Sequence, residues 1–182
     1  MRRYATILSA MILAWVLGTG VGRAADAQPT EYQLKAAFLY HFVQFVEWPP
    51  KAYAETNAPL VIGVLGDNPF GGEIQRTIQG KFLNNHPLLF QKFESLAGVT
   101  NNCHILFISS SEKKRFPEVF AALSGSSILT VGETDRFLES GGMISFVMEK
   151  TKIRFEINET AVKQAGLKMS YKLLSLASRV TH

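Results

Sequence analysis

The chain has 182 residues, of which 19 are basic and 15 acidic, and its formal net charge is +4. A protein that binds nucleic acid needs a clustered basic face to replace condensed counterions, and this balance gives no electrostatic case for one. Cys103 is the single cysteine, so no intrachain disulfide can form and stability must come from packing.

The first residues have the organisation of a secretion signal. Two arginines lie near the start, an apolar stretch runs from Ile7 to Val21, and small residues come next. That stretch is shorter than the roughly 20 apolar residues of a spanning helix, which disfavours an uncleaved membrane anchor. We predict a cleaved signal peptide over residues 1–27, with cleavage after Ala24 as the second possibility, and one soluble exported domain over residues 28–182. Cleavage removes three arginines and one aspartate and lowers the net charge from +4 to +2.

An aromatic-rich helix is predicted between residues 31 and 50. Apolar side chains recur there at helical spacing and are predicted to face the core: Leu34, Phe38, Phe42, Phe45 and Val46. Four polar side chains are predicted to lie elsewhere on the cylinder: Gln33, Lys35, Gln44 and Glu47. The pattern indicates a helix that is buried on most of its surface.

Three side chains of the same segment also have the composition of a docking surface. Tyr40, His41 and Trp48 combine aromatic rings with polar edges, and aromatic side chains concentrate at the centres of interfaces. Pro49 and Pro50 would hold such a patch rigid. Packing and partner binding are therefore the two interpretations of this segment.

Runs of branched apolar residues bounded by turn formers predict four buried strands: Leu60–Gly66, Pro87–Phe93, His104–Ser109 and Ser126–Gly132. Helical patterns lie between them. Asn68 is predicted to cap a helix through Ile78, and Ser109 with Glu112 has capping-box spacing for a helix through Leu123. This alternation predicts an α/β fold, a single-domain sandwich with a largely parallel central sheet and helices on both faces.

Residues 143–158 are predicted to form a β-hairpin with a two-residue connection at Lys150 and Thr151. In that register one apolar face has three opposed pairs: Ile144 with Ile157, Phe146 with Phe155, and Met148 with Ile153. The other face carries Ser145, Val147, Arg154 and Glu156, and Glu149 lies opposite Lys152. Charge and hydrophobicity therefore agree on one register.

A broken helix is predicted after the hairpin. Asn158 caps its first half, which stops at Gly166, and Ser170 caps its second half, which runs through Leu173 and Ala177. The two half-helices are expected to pack as one covering layer.

A ligand crevice is predicted where the loops after parallel strands gather, beyond the carboxyl ends of the strands. The candidate side chains there are Asp67, Asn68, Ser109, Ser110 and Glu133. These loops have neither the Walker lysine pattern nor the G-x-G-x-x-G fingerprint of a nucleotide site. A periplasmic small-molecule-binding protein that uses this crevice is the alternative to a protein that acts by protein contact.

Arg154 and Glu156 lie on one predicted strand face and allow two interpretations. One is an ion pair within the sheet, which contributes at most about 1 kcal/mol. The other is a polar anchor for a partner or a small ligand, since a guanidinium can hold a carboxylate or phosphate through two parallel hydrogen bonds.

The sequence favours a protein without enzymatic activity, metal or cofactor. Cys103 and His104 are adjacent on a predicted strand, so their side chains point to opposite faces and cannot directly share a site. The remaining histidines have no metal-ligand spacing, and no Gly-x-Ser-x-Gly elbow is present. Turnover that is abolished by changing Asp67, Glu133 or Glu156 would reverse this prediction.

Three long segments resemble the YfiR-like family of bacterial periplasmic proteins. They are KAAFLYHFVQFVEWP at Lys35–Pro49, CHILFIS at Cys103–Ser109, and GGMISFVMEKTKIRFEINETAVKQAGLKMSYKLLSLA at Gly141–Ala177. The resemblance spans essentially the whole predicted mature chain, and the segments occur in the expected order.

The resemblance implies a non-enzymatic negative regulator in the periplasm. It implies a repressor that binds the periplasmic sensory part of an inner-membrane diguanylate cyclase, and an outer-membrane lipoprotein that can sequester the repressor. Cell-envelope stress would thereby control cyclic di-GMP signalling and biofilm formation. A homodimer is implied by the resemblance alone.

Overall fold

A computed structural model of the chain describes residues 29–53, 55, 57–99 and 103–182. The predicted signal peptide and both of its candidate cleavage sites lie outside these residues. In the part of the chain that is described, no helix combines the length and the apolar composition that a membrane crossing requires.

The first helix, α1 (Glu31–Phe45), begins at a capping box. The Thr30 hydroxyl accepts a hydrogen bond from the Gln33 backbone N–H, and the Gln33 side chain accepts one from the Thr30 backbone N–H at 2.8 Å. The helix was predicted between residues 31 and 50, but it ends at Phe45 and the chain continues as a short strand, β1 (Val46–Glu47). A residue that precedes a proline is disfavoured in helical conformation, so Pro49 and Pro50 force the chain out of the helix here.

The remaining strands are β2 (Leu60–Leu65), β3 (Phe82–Leu83), β4 (His86–Phe93), β5 (Ile105–Ile108), β6 (Leu129–Gly132), β7 (Ile144–Glu149), β8 (Lys152–Asn158), β9 (Lys168–Met169) and β10 (Arg179–Thr181). Eight of them form one sheet in the order β10-β8-β7-β6-β5-β2-β4-β3. Its pairs are parallel except β7 with β8 and β3 with β4. The predicted α/β fold with a largely parallel sheet is confirmed. β1 and β9 form a separate antiparallel pair.

The predicted hairpin has the predicted register. All six cross-strand pairs of β7 and β8 occur as expected, from Ile144 opposite Ile157 to Glu149 opposite Lys152. The apolar face is buried at Phe146 and Phe155, whereas Met148 at the hairpin end is 54% exposed.

The other helices are α2 (Glu73–Ile78), α3 (Phe116–Leu123), α4 (Glu159–Gln164) and α5 (Tyr171–Leu176). The predicted caps of α4 and α5 are present, because the Asn158 side chain accepts from the Ala161 N–H and the Ser170 hydroxyl accepts from the Leu173 N–H. Gly166 follows α4 with a φ of +72°, a conformation that glycine adopts at little cost.

Two predicted helix starts are wrong. The Asn68 side chain accepts a hydrogen bond from the Phe70 N–H at 3.0 Å and so closes a turn, and α2 begins only after Gly72. Ser109 precedes a 3-10 helix at Ser110–Arg115, and α3 begins after it. Pro117 lies in the first turn of α3, where its missing N–H costs no helical hydrogen bond.

Apolar side chains pack on both faces of the sheet. One cluster joins α1, α2, α4 and α5 to the sheet, and the second joins α3 to the opposite face. Adjacent β5 residues divide between the clusters, with Phe107 in the first and Leu106 in the second. The prediction was wrong for two neighbours on α1, because Leu34 is 39% exposed and Lys35 is buried.

Candidate functional site: a groove at the carboxyl end of the sheet

Two adjoining cavities, of about 320 and 540 Å³, lie beside the carboxyl end of β6 and the strand β7. Five residues line both cavities, which we together call the carboxyl-edge groove: Glu133, Thr134, Phe146, Val147 and Met148. Glu133 is the residue directly after β6. The groove therefore lies at the edge of the sheet where the loops that follow parallel strands gather.

A buried lysine organises the smaller cavity. Lys35 Nζ donates to Glu133 Oε2 at 2.5 Å and also donates to Glu31 Oε1 on the preceding turn of α1. The Lys35 side chain is 6% exposed, against 15% for Glu133 and 47% for Glu31. Burial alone lowers the pKa of Lys35, but the hydrogen bonds to the two carboxylates outweigh it and raise the pKa. The lysine is therefore a charged link between α1 and the end of β6.

Tyr32 completes this cluster. Its hydroxyl donates to Glu133 Oε1 at 3.1 Å, and its ring lies 4.8 Å from Lys35 Nζ. Burial raises the pKa of Tyr32, and the negative charge of Glu133 raises it further against the opposing charge of Lys35. The raised pKa keeps the phenol protonated at neutral pH, as its donation to Glu133 requires.

The larger cavity contains a second ion pair. Arg179 of β10 donates to Glu156 of β8 at 2.5 Å, and these residues are direct neighbours in the parallel register. Arg154 lies near Glu149 instead, at 3.8 Å. The expected ion pair of Arg154 with Glu156 is therefore wrong, because each of the two side chains has another partner in the sheet. Side chains two residues apart on a strand are farther from each other than from their cross-strand neighbours.

The predicted crevice residues separate into two groups. Ser110 and Glu133 line the smaller cavity. Asp67 and Asn68 do not line the groove, and the Asp67 backbone N–H donates to the Ser111 hydroxyl at 3.0 Å. Ser109 is buried, and its hydroxyl accepts from the Ser111 N–H. The groove therefore unites Glu133 and Ser110 with Glu156, which the sequence placed in a different candidate site.

The predicted aromatic patch on α1 is smaller than expected. Trp48 is 8% exposed, and its indole N–H donates to the His104 carbonyl oxygen at 3.3 Å. Tyr40 is half-buried and accepts from Gln44 at 2.8 Å, with Lys81 Nζ 3.9 Å from its ring. His41 is exposed. The interpretation of Trp48 as an exposed contact is corrected, and it becomes a wall of a third cavity, of about 430 Å³.

Cys103 and His104 point to opposite faces of the sheet, as predicted. The Cys103 thiol packs beside Gly63, where an added Cβ would lie 2.8 Å from Sγ, so only glycine permits this approach. His104 lies between the rings of Trp48 and Tyr53 on the other face. Burial, and secondarily the nearby His86, lowers the pKa of His104 to about 4. Across the described ranges, no three His, Cys, Asp or Glu side chains form a group that could hold a metal ion.

Sequence reasoning missed Lys35, Tyr32 and Arg179. The spacing of Glu31 and Lys35 indicates a helical ion pair, which is normally a surface feature. The contact from Lys35 to Glu133 spans 98 residues and leaves no local signal.

The fold and the groove define an α/β protein with a charged, partly apolar groove at the carboxyl end of its sheet. A profile of the family described as YfiR/HmsC-like matches residues 32–178. The chain therefore belongs to the YfiR/HmsC-like family, whose members are periplasmic regulators rather than enzymes.

Solved structures share the fold at low sequence identity. A conserved domain protein from Vibrio cholerae O1 biovar El Tor aligns with a TM-score of 0.55 and 11% identity over 84% of this chain. An ABC domain from Streptococcus pneumonia, in complex with L-Trp, aligns with a TM-score of 0.55 and 12% identity over 82% of this chain. This chain spans 60% of the length of each. These similarities concern the fold alone.

Proposed function

We propose that the protein is a periplasmic negative regulator that binds the periplasmic part of an inner-membrane diguanylate cyclase. It would thereby control cyclic di-GMP signalling and biofilm formation, and an outer-membrane lipoprotein would compete for it. The family match over residues 32–178 carries the proposal. The mechanism is a population shift, in which the regulator binds one state of the membrane sensor more tightly than the other.

The flank of α1 offers the best contact surface for the cyclase. Tyr40 and His41 lie next to Gln44, which borders the cavity of about 430 Å³. Trp48, Tyr53 and His86 give this cavity aromatic walls, and Tyr53 stacks on His86 at 4.2 Å. An apolar anchor side chain of a partner would fit such a cavity, with Tyr40 and His41 at its rim.

Arg154 and Glu156 belong to a different surface. α1 packs on the face of the hairpin that carries Phe146 and Phe155, whereas Arg154 and Glu156 point from the opposite face. A partner must wrap around the hairpin to touch both surfaces. We assign the cyclase contact to the α1 flank and keep Arg154 and Glu156 as candidates for the second partner.

Capture from native envelopes tests the proposal. The mature protein should retain a diguanylate cyclase, and the double variant Tyr40→Ala with His41→Ala should lose at least tenfold of that capture. Tyr171→Ala is the matched control, because Tyr171 is 84% exposed on α5. Deletion of the gene should raise cyclic di-GMP. Envelopes that yield no cyclase, together with an unchanged cyclic di-GMP level, would contradict the proposal.

A second candidate function is the binding of a small solute in the carboxyl-edge groove. The observation that favours it is the smaller cavity, where Glu31, Lys35 and Glu133 face an apolar wall. Ligand retention by the purified protein, or a ligand-induced rise in melting temperature, distinguishes this function from a protein contact alone.

A further inference from the structure

The smaller cavity of the carboxyl-edge groove, which we call the Lys35 cavity, has an excess of negative charge. Its lining contains two carboxylates, Glu31 and Glu133, and one ammonium, that of Lys35. Asp135 lines the adjoining cavity, and it forms no ion pair with any other described residue. The next residue, Arg136, pairs with Glu139 at 2.7 Å and so does not neutralise this excess.

One carboxylate of the Lys35 cavity retains capacity for another cation. Lys35 donates to only one oxygen of Glu31, and that side chain is 47% exposed. Glu133, in contrast, accepts from Tyr32 with one oxygen and from Lys35 with the other. The second oxygen of Glu31 is therefore the acceptor to which an incoming donor has access.

The other walls add an apolar surface. Thr134 also lines the cavity, but its hydroxyl is buried and, among the described residues, has no hydrogen-bond partner. Four apolar residues complete the lining: Phe146, Val147, Met148 and Ile153. The side chains of Phe146, Met148 and Ile153 lie on one face of the hairpin, whereas that of Val147 points from the opposite face. A volume of about 320 Å³ lies at the lower end of the range of small-molecule sites.

We infer that the Lys35 cavity binds a small organic cation, a primary ammonium on a short apolar body. The ammonium pairs with Glu31, and the apolar body packs on the wall formed by Phe146, Met148 and Ile153. Lys35 acts as a positioning residue, because it holds Glu133 and Glu31 at the cavity. A carboxylate ligand would have to displace Glu31 from Lys35 and would face the remaining negative charge.

This inference deepens the second candidate function and does not depend on a cyclase partner. Binding is measured on the purified mature chain, so failure to capture a cyclase leaves its test intact. Conversely, absence of cation binding leaves capture of the cyclase untouched.

Calorimetric titration with matched probes tests the inference. 2-Phenylethylammonium should bind about twofold to fivefold more tightly than neutral 2-phenylethanol at low salt, which is the contribution expected of one partly exposed ion pair. 3-Phenylpropanoate should bind more weakly than both. Methylammonium, which lacks the apolar body, should bind more weakly than 2-phenylethylammonium.

Two charge-matched variants locate the site. Glu31→Gln should abolish the preference for the ammonium over the alcohol. Glu73→Gln removes a carboxylate of α2 that pairs with Arg76 outside the cavity, and it should leave the preference unchanged. If the preference is absent in the wild type, if the carboxylate binds most tightly, or if both variants lose the preference equally, the inference is overturned.

A measurement on the wild type tests the site even if the Glu31→Gln variant does not fold. The methyl resonances of Met148 and Ile153 should shift on addition of 2-phenylethylammonium and saturate with the calorimetric affinity. Shifts confined to methyl groups outside the cavity, such as those of Leu89 and Leu176, would overturn the assignment to this site.

Discussion

At the scale of single residues, His104 couples stability to pH. It is 4% exposed, and its Nδ1 accepts from the Val61 backbone N–H at 3.2 Å, which requires the neutral ring. Its pKa is about 4 in the folded chain, against the ordinary value of 6.5. Because the unfolded chain takes up this proton at higher pH, the free energy of unfolding falls as the pH drops from about 6.5 to about 4 and levels off below. The loss that His104 contributes is about 3 kcal/mol.

We expect the substitution His104→Asn to remove most of this pH dependence. The asparagine oxygen can accept from the Val61 N–H, but the side chain does not titrate. His41→Asn is the matched control, since His41 is exposed on α1. Urea unfolding measured at pH 7, 5.5 and 4 gives the slopes. An equal slope in His104→Asn and in the wild type would show that other groups cause the acid loss.

Single residues also show where sequence reasoning fails. Helical periodicity placed Leu34 in the core and Lys35 outside it, and the structure reverses both assignments. Periodicity describes where a side chain lies on the cylinder, but not which distant group it meets. Lys35 is buried because Glu133, 98 residues away, supplies the opposite charge. Trp48 packs in the first apolar cluster, and the His104 carbonyl oxygen accepts from its indole N–H, so the ring can be buried without an unpaired donor.

At the scale of elements, the β7–β8 hairpin was the most predictable part of the chain. Its register follows from alternation within two adjacent strands, so every partner is close in sequence. The caps at Asn158 and Ser170 were predictable for the same reason. β10 and the β1–β9 pair were not predicted, because strands of two or three residues have no periodicity and their partners are distant. The groove was predictable only in part, since topology gathers the loops but does not select Glu31 or Arg179.

The hairpin turn gives a prediction at this scale. Lys150 has a φ of +55°, a left-handed conformation that costs a lysine roughly 1 kcal/mol and a glycine almost nothing. Glycine also gives the unfolded chain more conformational entropy, which offsets part of that gain. We therefore expect Lys150→Gly to raise the free energy of unfolding by about 0.5 kcal/mol.

Urea unfolding of three variants checks this turn. Lys152→Gly, two residues later in β8, should lower the free energy of unfolding by about 0.5–1 kcal/mol, because glycine weakens a strand. Lys150→Ala, which removes the side chain but keeps the Cβ, should give no gain. A gain in Lys150→Ala equal to that in Lys150→Gly would assign the effect to charge rather than to backbone conformation.

At the scale of the whole molecule, the two apolar clusters share one sheet and are expected to unfold together. The central strands β2 and β5 each contribute side chains to both clusters, as Ile105 and Leu106 of β5 do. A change on the face with α1 and α5 should therefore be felt on the face with α3. Cys103 belongs to the second cluster, whereas Leu173 of α5 belongs to the first.

The Cys103 thiol provides a probe of this cooperativity. It is 7% exposed and donates to the Ile105 carbonyl oxygen at 3.0 Å, and burial raises its pKa, so the folded chain should resist alkylation. The alkylation rate should then follow the population of the unfolded chain and rise steeply with urea. Ser170→Ala removes the cap of α5 and costs about 1 kcal/mol, so it should speed alkylation about fivefold. Tyr171→Ala, at a position of the same helix that is 84% exposed, should not speed alkylation. A rate that is unchanged in Ser170→Ala and depends weakly on urea would mean that the Cys103 face opens locally, independently of α5.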